Sequence, residues 1–327
     1  MKKIAVIGDG GWGTTLSILL YNKGYNVSLW SAFKENARSL NRDRVNKKYL
    51  KGIPIPKGIS VYHEIEHLKN QDVYIVAVPC QFLRKTMKKL KHFISGPIIS
   101  VTKGIELDTL KLPSQVIKEV MGAKNISVLS GPTIAYEVAR NMPTACVVAS
   151  ENKKYAEEAR ALFTQDTFRV YCSSDVKGVE LSGALKNVIA IAAGITDGMG
   201  FGINTKASLL TRGLAEMIRL GVRIGAKKET FSGLSGLGDL TTTCMSFHSR
   251  NRWLGEQIGV GKKVSKIIKS TVMVIEGYET SKAAHKLAGQ YKVDLPIASE
   301  VYKVLHENKS PKRAISELMN RSLKWEA

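Results

Sequence analysis

The sequence predicts an α/β protein: a mostly parallel sheet with helices on both faces, followed by an all-helical domain. Three observations predict it. Short β-branched apolar runs alternate with helical segments through the first half of the 327 residues. A glycine-rich turn, Gly8-Asp9-Gly10-Gly11-Trp12-Gly13, joins the first of these runs to the first helix. Beyond about residue 175 the strand signals stop and long helical periods take over.

The strand series begins with Ile4 to Ile7, a continuous apolar run of the kind buried on both faces. It continues with Asn26 to Trp30, Val73 to Val78, Ile98 to Val101, Ile126 to Leu129, Ala145 to Ala149 and Phe168 to Tyr171. Helical periods fall between them at Thr14 to Asn22, Gln81 to Leu90, Leu112 to Met121 and Lys153 to Phe163. From Val176 to Ala193 the chain reads as one long, mostly apolar helix. Further helices follow at about Thr205 to Leu220, Ser249 to Ile258, Tyr278 to Ala288, Ile297 to His306 and Ser310 to Arg321. The division is therefore into residues 1–175 and 176–327, with no Pro- or Gly-rich linker, so the two parts are expected to pack closely.

Composition narrows the class. Apolar residues at 44% and charged residues at 24% are globular proportions. Apolar stretches such as Val188 to Ala193 fall short of the roughly 20 residues of a membrane span. The apolar run behind Met1-Lys2-Lys3 is shorter than the roughly 7–15 residues of a signal peptide, which points to a cytoplasmic protein. Cys80, Cys146, Cys172 and Cys244 lie far apart, so reduced, mostly buried thiols and no metal site are expected. The net charge of +21 suits either nucleic acid or anionic small molecules. Its densest run, Arg84 to Lys91, reads as a solvated helix face covering Phe82, Leu83, Met87 and Leu90.

The glycine turn carries the first chemistry. Gly8 allows a tight turn off the strand, Gly10 lets the backbone approach a pyrophosphate, and Gly13 lets helix and strand pack closely. The helix behind it offers free N–H groups and a partial positive charge. A G-x-G-x-x-G that follows a strand, opens a helix and starts at residue 8 predicts a Rossmann-type doubly wound sheet that binds NAD or NADP. The acid expected about 20 residues on, which binds a ribose 2′-hydroxyl, is missing from Trp30-Ser31-Ala32-Phe33-Lys34. NADP is therefore expected to be held at least as readily as NAD, with Ser31 and Lys34 as candidate contacts.

Five later segments set polar groups in apolar or glycine-rich surroundings: Ser100 to Glu106, Ser130 to Thr133, Glu180 to Val188, Gly236 to Thr241 and Ser249 to Gly255. Lys103 follows a strand, where open α/β sheets bind ligands. Lys186 interrupts the long apolar helix; by itself the pattern also fits a lysine on an exposed side. Ser249 is a plausible helix N-cap, and Arg250 and Asn251 in the first turn suit an anion.

Taken together, these segments resemble the NAD(P)-dependent sn-glycerol-3-phosphate dehydrogenases of the bacterial type, over nearly the whole chain and in the same order. Thr102-Lys103-Gly104-Ile105-Glu106, Glu180 to Gly194, Gly233 to Leu240 and Ser249 to Gly255 carry the likeness. The resemblance implies interconversion of glycerol 3-phosphate and dihydroxyacetone phosphate, and supply of the former to phospholipid synthesis. It implies Lys186 as the general acid/base. Lys103, Gly131, Thr133, Asp239, Ser249, Arg250 and Asn251 are implied around a small phosphorylated substrate. Gly8, Gly10, Gly11, Trp12, Gly13, Lys103, Ala135, Arg250, Val274 and Glu276 are implied around the cofactor. Gly11 and Thr133 stand where the family usually has serine, and Ser31-Ala32 where it often has arginine. A homodimer is expected from apolar helical faces. Two other readings share parts of the pattern: another hydroxyacid or 3-hydroxyacyl dehydrogenase of the same plan, and a non-catalytic nucleotide sensor.

Overall fold

Eight strands form one sheet in the computed structural model, which describes residues 1–123, 125–323 and 325. They are β1 (Lys3–Ile7), β2 (Asn26–Trp30), β3 (Ser60–Tyr62), β4 (Val73–Val76), β5 (Ile98–Ser100), β6 (Ile126–Ser130), β7 (Thr144–Ala149) and β8 (Phe168–Ser173). Their order is β3-β2-β1-β4-β5-β6-β7-β8, parallel throughout except where β7 runs antiparallel to β6. The order reverses at β1, which lies between β2 and β4, and that reversal leaves a crevice at the carboxyl ends of the strands. Alternate residues of β1 serve opposite faces: Ile4 and Val6 pack into one core, Ala5 and Ile7 into another. Helices therefore cover both sides of the sheet, as expected.

Several local expectations shift. The Gly11–Asn22 helix starts at the glycine turn itself. β4 stops at Val76, since Pro79 turns the chain into the Cys80–Leu90 helix. That helix buries Leu83, Met87 and Leu90, but Phe82 is 56% exposed, contrary to the sequence reading. Phe82 lies about 100° round the helix from Leu83 and so falls on the solvent side. β3 and the Lys34–Asp43 helix were not expected, and that helix buries only Ala37 and Leu40, whereas the short Ala135–Ala139 helix follows Ser130 to Thr133 as expected. Three of the four cysteines are buried free thiols and Cys172 is exposed.

Among the described residues no strand follows Ser173. The chain passes directly into the Val176–Gly198 helix, whose start is fixed by Asp175. The Asp175 carboxylate accepts hydrogen bonds from the Gly178 and Lys227 amides and the Thr230 hydroxyl. By length and composition this helix would cross a membrane, yet its whole apolar window is buried inside the protein. A helix apolar on all sides is a core helix when others surround it, as Ile203–Ile224, Asp239–Met245, Arg250–Gly259, Glu276–Tyr291 and Pro296–His306 do here.

Glycines set the closest of those contacts. A Cβ on Gly194 would lie 1.9 Å from the Arg252 carbonyl oxygen, and one on Gly255 would lie 2.0 Å from that of Ile191. Gly198 and Gly259 meet Glu256 and Ile195 in the same way, at 2.2 and 2.4 Å. The two helices thus touch backbone to backbone over more than a turn, which no larger residue at these positions permits.

Candidate active site

The glycine turn lies at the reversal point. Gly8 has φ +115°, and a Cβ there would fall 2.6 Å from the Ala77 oxygen beyond β4. A Cβ on Gly13 would fall 1.9 Å from the Gly8 oxygen, whereas Gly10 faces open space. Gly11 is covered by the loop carrying Tyr49, whose oxygen would lie 2.8 Å from an added Cβ. This contact gives a local reason for glycine at that position. The helix behind the turn has no side-chain cap and no acid in its first turn, so its leading amides stay available. Trp12 Nε1 is buried without a partner among the described residues. An uncapped helix start beside an open glycine and an unmatched donor fits the pyrophosphate of a dinucleotide. Ala135 is tied to the same helix, its carbonyl accepting from the Thr15 hydroxyl.

Glu276 opens the Glu276–Tyr291 helix and reaches back to the strand ends. Its Oε1 accepts the Cys80 amide at 3.0 Å, and its Oε2 is buried with no partner among the described residues, 3.1 Å from where a Gly104 Cβ would stand. Burial pushes its carboxyl up to about 7, against the pull of the Cys80 amide and of Arg250. Val274, two residues earlier, is exposed.

Lys186 is 6% exposed, which settles its side of the helix. Its Nζ donates to Asp239 Oδ1 at 2.7 Å and to Thr243 Oγ1 at 2.6 Å. Lys103, from the loop after β5, donates to the other oxygen of Asp239 at 2.5 Å and to the Gly131 carbonyl at 3.1 Å. One carboxylate thus holds two ammonium groups. Burial drives the Lys186 pKa down to about 8; Asp239 opposes that and Lys103 reinforces it. Burial also pushes the Asp239 carboxyl up, but the two lysines outweigh it and hold it below the ordinary carboxylate range.

The backbone explains how these groups meet. Gly183 stands one turn before Lys186, and a Cβ there would lie 2.8 Å from Ser130 Oγ at the end of β6. Gly131 has φ +143° and abuts the Cys146 Cα at 2.9 Å. Leu234–Gly238 forms a π-helical turn, a wide turn common at functional sites. It delivers Asp239 as the first residue of the next helix.

The remaining candidates divide. Ser249 is the N-cap, its hydroxyl accepting the Arg252 amide. The Thr133 hydroxyl donates to its own loop at the Gly131 carbonyl. Asn251 is buried between helices: its amide donates to Asn187 Oδ1 and its Oδ1 accepts the Gly277 amide, both at 2.9 Å. These three therefore order the site as it stands. Arg250 differs, since its guanidinium has no hydrogen bond or ion pair with the described residues, while lying within electrostatic reach of Glu276. Arg252 is a structural staple, donating to Asp197 in the central helix at 2.6 Å.

Two polar residues escaped the sequence reading. Thr243 lies one helical turn beyond Asp239, a spacing that could have exposed it. Asp9, inside the glycine turn, accepts from the Ser31 hydroxyl at 2.9 Å and from Asn36 Nδ2 at 3.1 Å. Ser31 is fully buried and Lys34 is exposed.

Comparison with known proteins places this geometry. Residues 3–156 match the family model described as NAD-dependent glycerol-3-phosphate dehydrogenase N-terminus, and residues 175–316 match the corresponding C-terminus. The glycerol-3-phosphate dehydrogenase [NAD(P)+] of Fusobacterium nucleatum is 46% identical, covering 100% of this chain and 99% of that protein. A protein of the same name from Chlorobium phaeobacteroides is 47% identical, with 99% of each chain covered. The crystal structure of glycerol-3-phosphate dehydrogenase from Coxiella burnetii superposes with a TM-score of 0.94 at 36% identity, covering 98% of this chain and 99% of that one.

Proposed function

The chain belongs to the NAD-dependent glycerol-3-phosphate dehydrogenase family, and from that premise we propose that it interconverts sn-glycerol 3-phosphate and dihydroxyacetone phosphate with NAD(P), Lys186 being the general acid/base. The observation that carries this reading is the Lys186–Asp239–Lys103 arrangement: a buried lysine whose pKa of about 8 suits proton exchange near neutrality.

When bound, the nicotinamide supplies hydride to the ketone carbon or takes it from the alcohol carbon. In reduction the Lys186 ammonium donates a hydrogen bond to the ketone oxygen and then its proton as the alkoxide develops. In oxidation the neutral amine takes the hydroxyl proton. Asp239 and Thr243 hold the Lys186 Nζ in place, and Lys103 places a second positive charge beside the developing alkoxide. Arg250, uncommitted at the start of its helix, binds the substrate phosphate; a guanidinium is suited to that by its planar fork of donors. Gly8, Gly10, Gly11, Trp12 and Gly13 hold the pyrophosphate, and Ala135, Val274 and Glu276 complete the cofactor's surroundings. In this division residues 1–175 carry the dinucleotide and residues 176–327 the proton donor and phosphate site.

The wider setting is part of the same proposal: a cytoplasmic enzyme, supported by its four unpaired cysteines, that supplies glycerol 3-phosphate for phospholipid synthesis. It works as a homodimer, supported by the exposed apolar Phe201 and Ile203 on the helical part. The deciding measurement is dihydroxyacetone phosphate-dependent oxidation of NADH or NADPH by wild type and Lys186→Ala. The variant is expected to lose turnover while binding reduced cofactor as wild type does. Comparable turnover in the variant would remove Lys186 from the mechanism.

A further inference from the structure

Asp9, inside the glycine turn, stands where folds of this kind tell their cofactors apart. In sheets of this order an acid at the end of the second strand binds the adenosine ribose 2′-hydroxyl. Here β2 ends at Trp30, and Ser31, Ala32 and Phe33 follow without an acid. The structure fills that gap from the side. Asp9 extends from the glycine turn to the end of β2, where the buried Ser31 hydroxyl and the Asn36 amide both donate to its Oδ2. The Phe33 amide donates in turn to Ser31 Oγ at 3.2 Å, and Asn46 anchors the Asp9 backbone oxygen at 2.8 Å. The carboxylate is fixed by one oxygen, and the other, Oδ1, has no donor among the described residues.

We propose that Asp9 is the residue that sets the cofactor preference, its Oδ1 accepting the ribose 2′-hydroxyl of NAD and its charge disfavouring the 2′-phosphate of NADP. The inference rests on the dinucleotide reading of the glycine turn and reverses the sequence-based lean towards NADP. Ser31, a candidate phosphate contact in that reading, instead turns its buried hydroxyl to Asp9 and to the Phe33 carbonyl. A 2′-phosphate brings nearly two negative charges to this carboxylate. Within Ser31 to Asn36 the basic residue available to offset them is Lys34, an exposed side chain close to the acidic Glu35.

The test is direct binding by calorimetry, with the full-length protein and no turnover. ADP-ribose is compared with ADP-ribose 2′-phosphate on wild type, Asp9→Asn and Ser31→Ala. Wild type is expected to bind ADP-ribose roughly tenfold to 100-fold more tightly, as a like-charge clash of a few kcal/mol requires. Asp9→Asn keeps the shape and is expected to bring the two ligands within about threefold. Ser31→Ala, which frees one tether and leaves the charge, is expected to retain most of the discrimination. Wild-type preference for the 2′-phosphate, or an unchanged ratio in Asp9→Asn, overturns the proposal. Failure of wild type to bind either ligand would instead overturn the dinucleotide reading, and the proposal with it.

Discussion

Asp239→Asn keeps the shape of the site and removes the charge between two lysines. Lys186 Nζ stands 2.7 Å from Oδ1 and Lys103 Nζ 2.5 Å from Oδ2. At an effective dielectric near 20, a pair at the Lys186 separation interacts with about 6 kcal/mol, and about 1.4 kcal/mol moves a pKa by one. Water drawn towards the altered site screens part of this, so the smallest displacement expected for Lys186 is about two pH units. Its pKa then moves from about 8 to about 6. Near pH 7.5 the ammonium fraction drops from roughly three-quarters to roughly 3%, a loss of about 25-fold in reduction from protonation alone. The assay is the initial rate of NADH oxidation with dihydroxyacetone phosphate from about pH 5.5 to 9.5. Reduction uses the ammonium, so the wild-type rate falls as pH rises through about 8; the reverse reaction uses the amine and rises over the same range. In the variant the falling limb moves to lower pH. A limb that stays near 8 with only its amplitude reduced would show that the Asp239 charge does not set the acidity of Lys186.

Arg250→Ala is expected to raise KM for the phosphorylated substrate about tenfold to 100-fold, the range of a lost charged hydrogen bond, with kcat less affected. Steady-state kinetics decide it, and an unchanged KM counts against the phosphate role. Gly255→Ala forces a Cβ to within 2.0 Å of the Ile191 oxygen and is expected to destabilise the fold by about 3 kcal/mol or more. Gly289→Ala, where an added Cβ meets nothing within 4 Å in the Glu276–Tyr291 helix, is expected to stabilise by about 0.5–1 kcal/mol. Urea titrations of the pair should diverge in sign; matching midpoints would refute the backbone contact at Gly255.

Much of the sheet was legible because buried parallel strands declare themselves as unbroken β-branched runs, as Ile4 to Ile7 and Val73 to Val76 do. The glycine turn was legible because each glycine answers a local steric demand. The Lys34–Asp43 helix was not, since its face towards the protein buries only Ala37 and Leu40 and the rest of the segment is polar. Phe82 misled because helical spacing gives the width of an apolar face but not where its edge meets solvent. Lys186, Lys103 and Asp239 stood out as polar residues in apolar or glycine-rich segments, and resemblance supplied their roles; their meeting joins three distant parts of the chain, and no local pattern encodes it. Asp9 lay hidden for the same reason. Its partners are 22 and 27 residues away, and nothing in the glycine turn itself points to them.

The glycine seam between Val176–Gly198 and Arg250–Gly259 bears on what the enzyme will accept. In the proposed reading the proton donor rides on one of these helices and the phosphate anchor begins the other. Main-chain atoms at Gly194 and Gly255 set the gap between them, so the site works as a calliper with a locked jaw. Repacking side chains cannot open it. Substrates would then be gauged by the span between carbonyl and phosphate, and retuning the enzyme for a longer chain would mean shifting a whole helix along its neighbour.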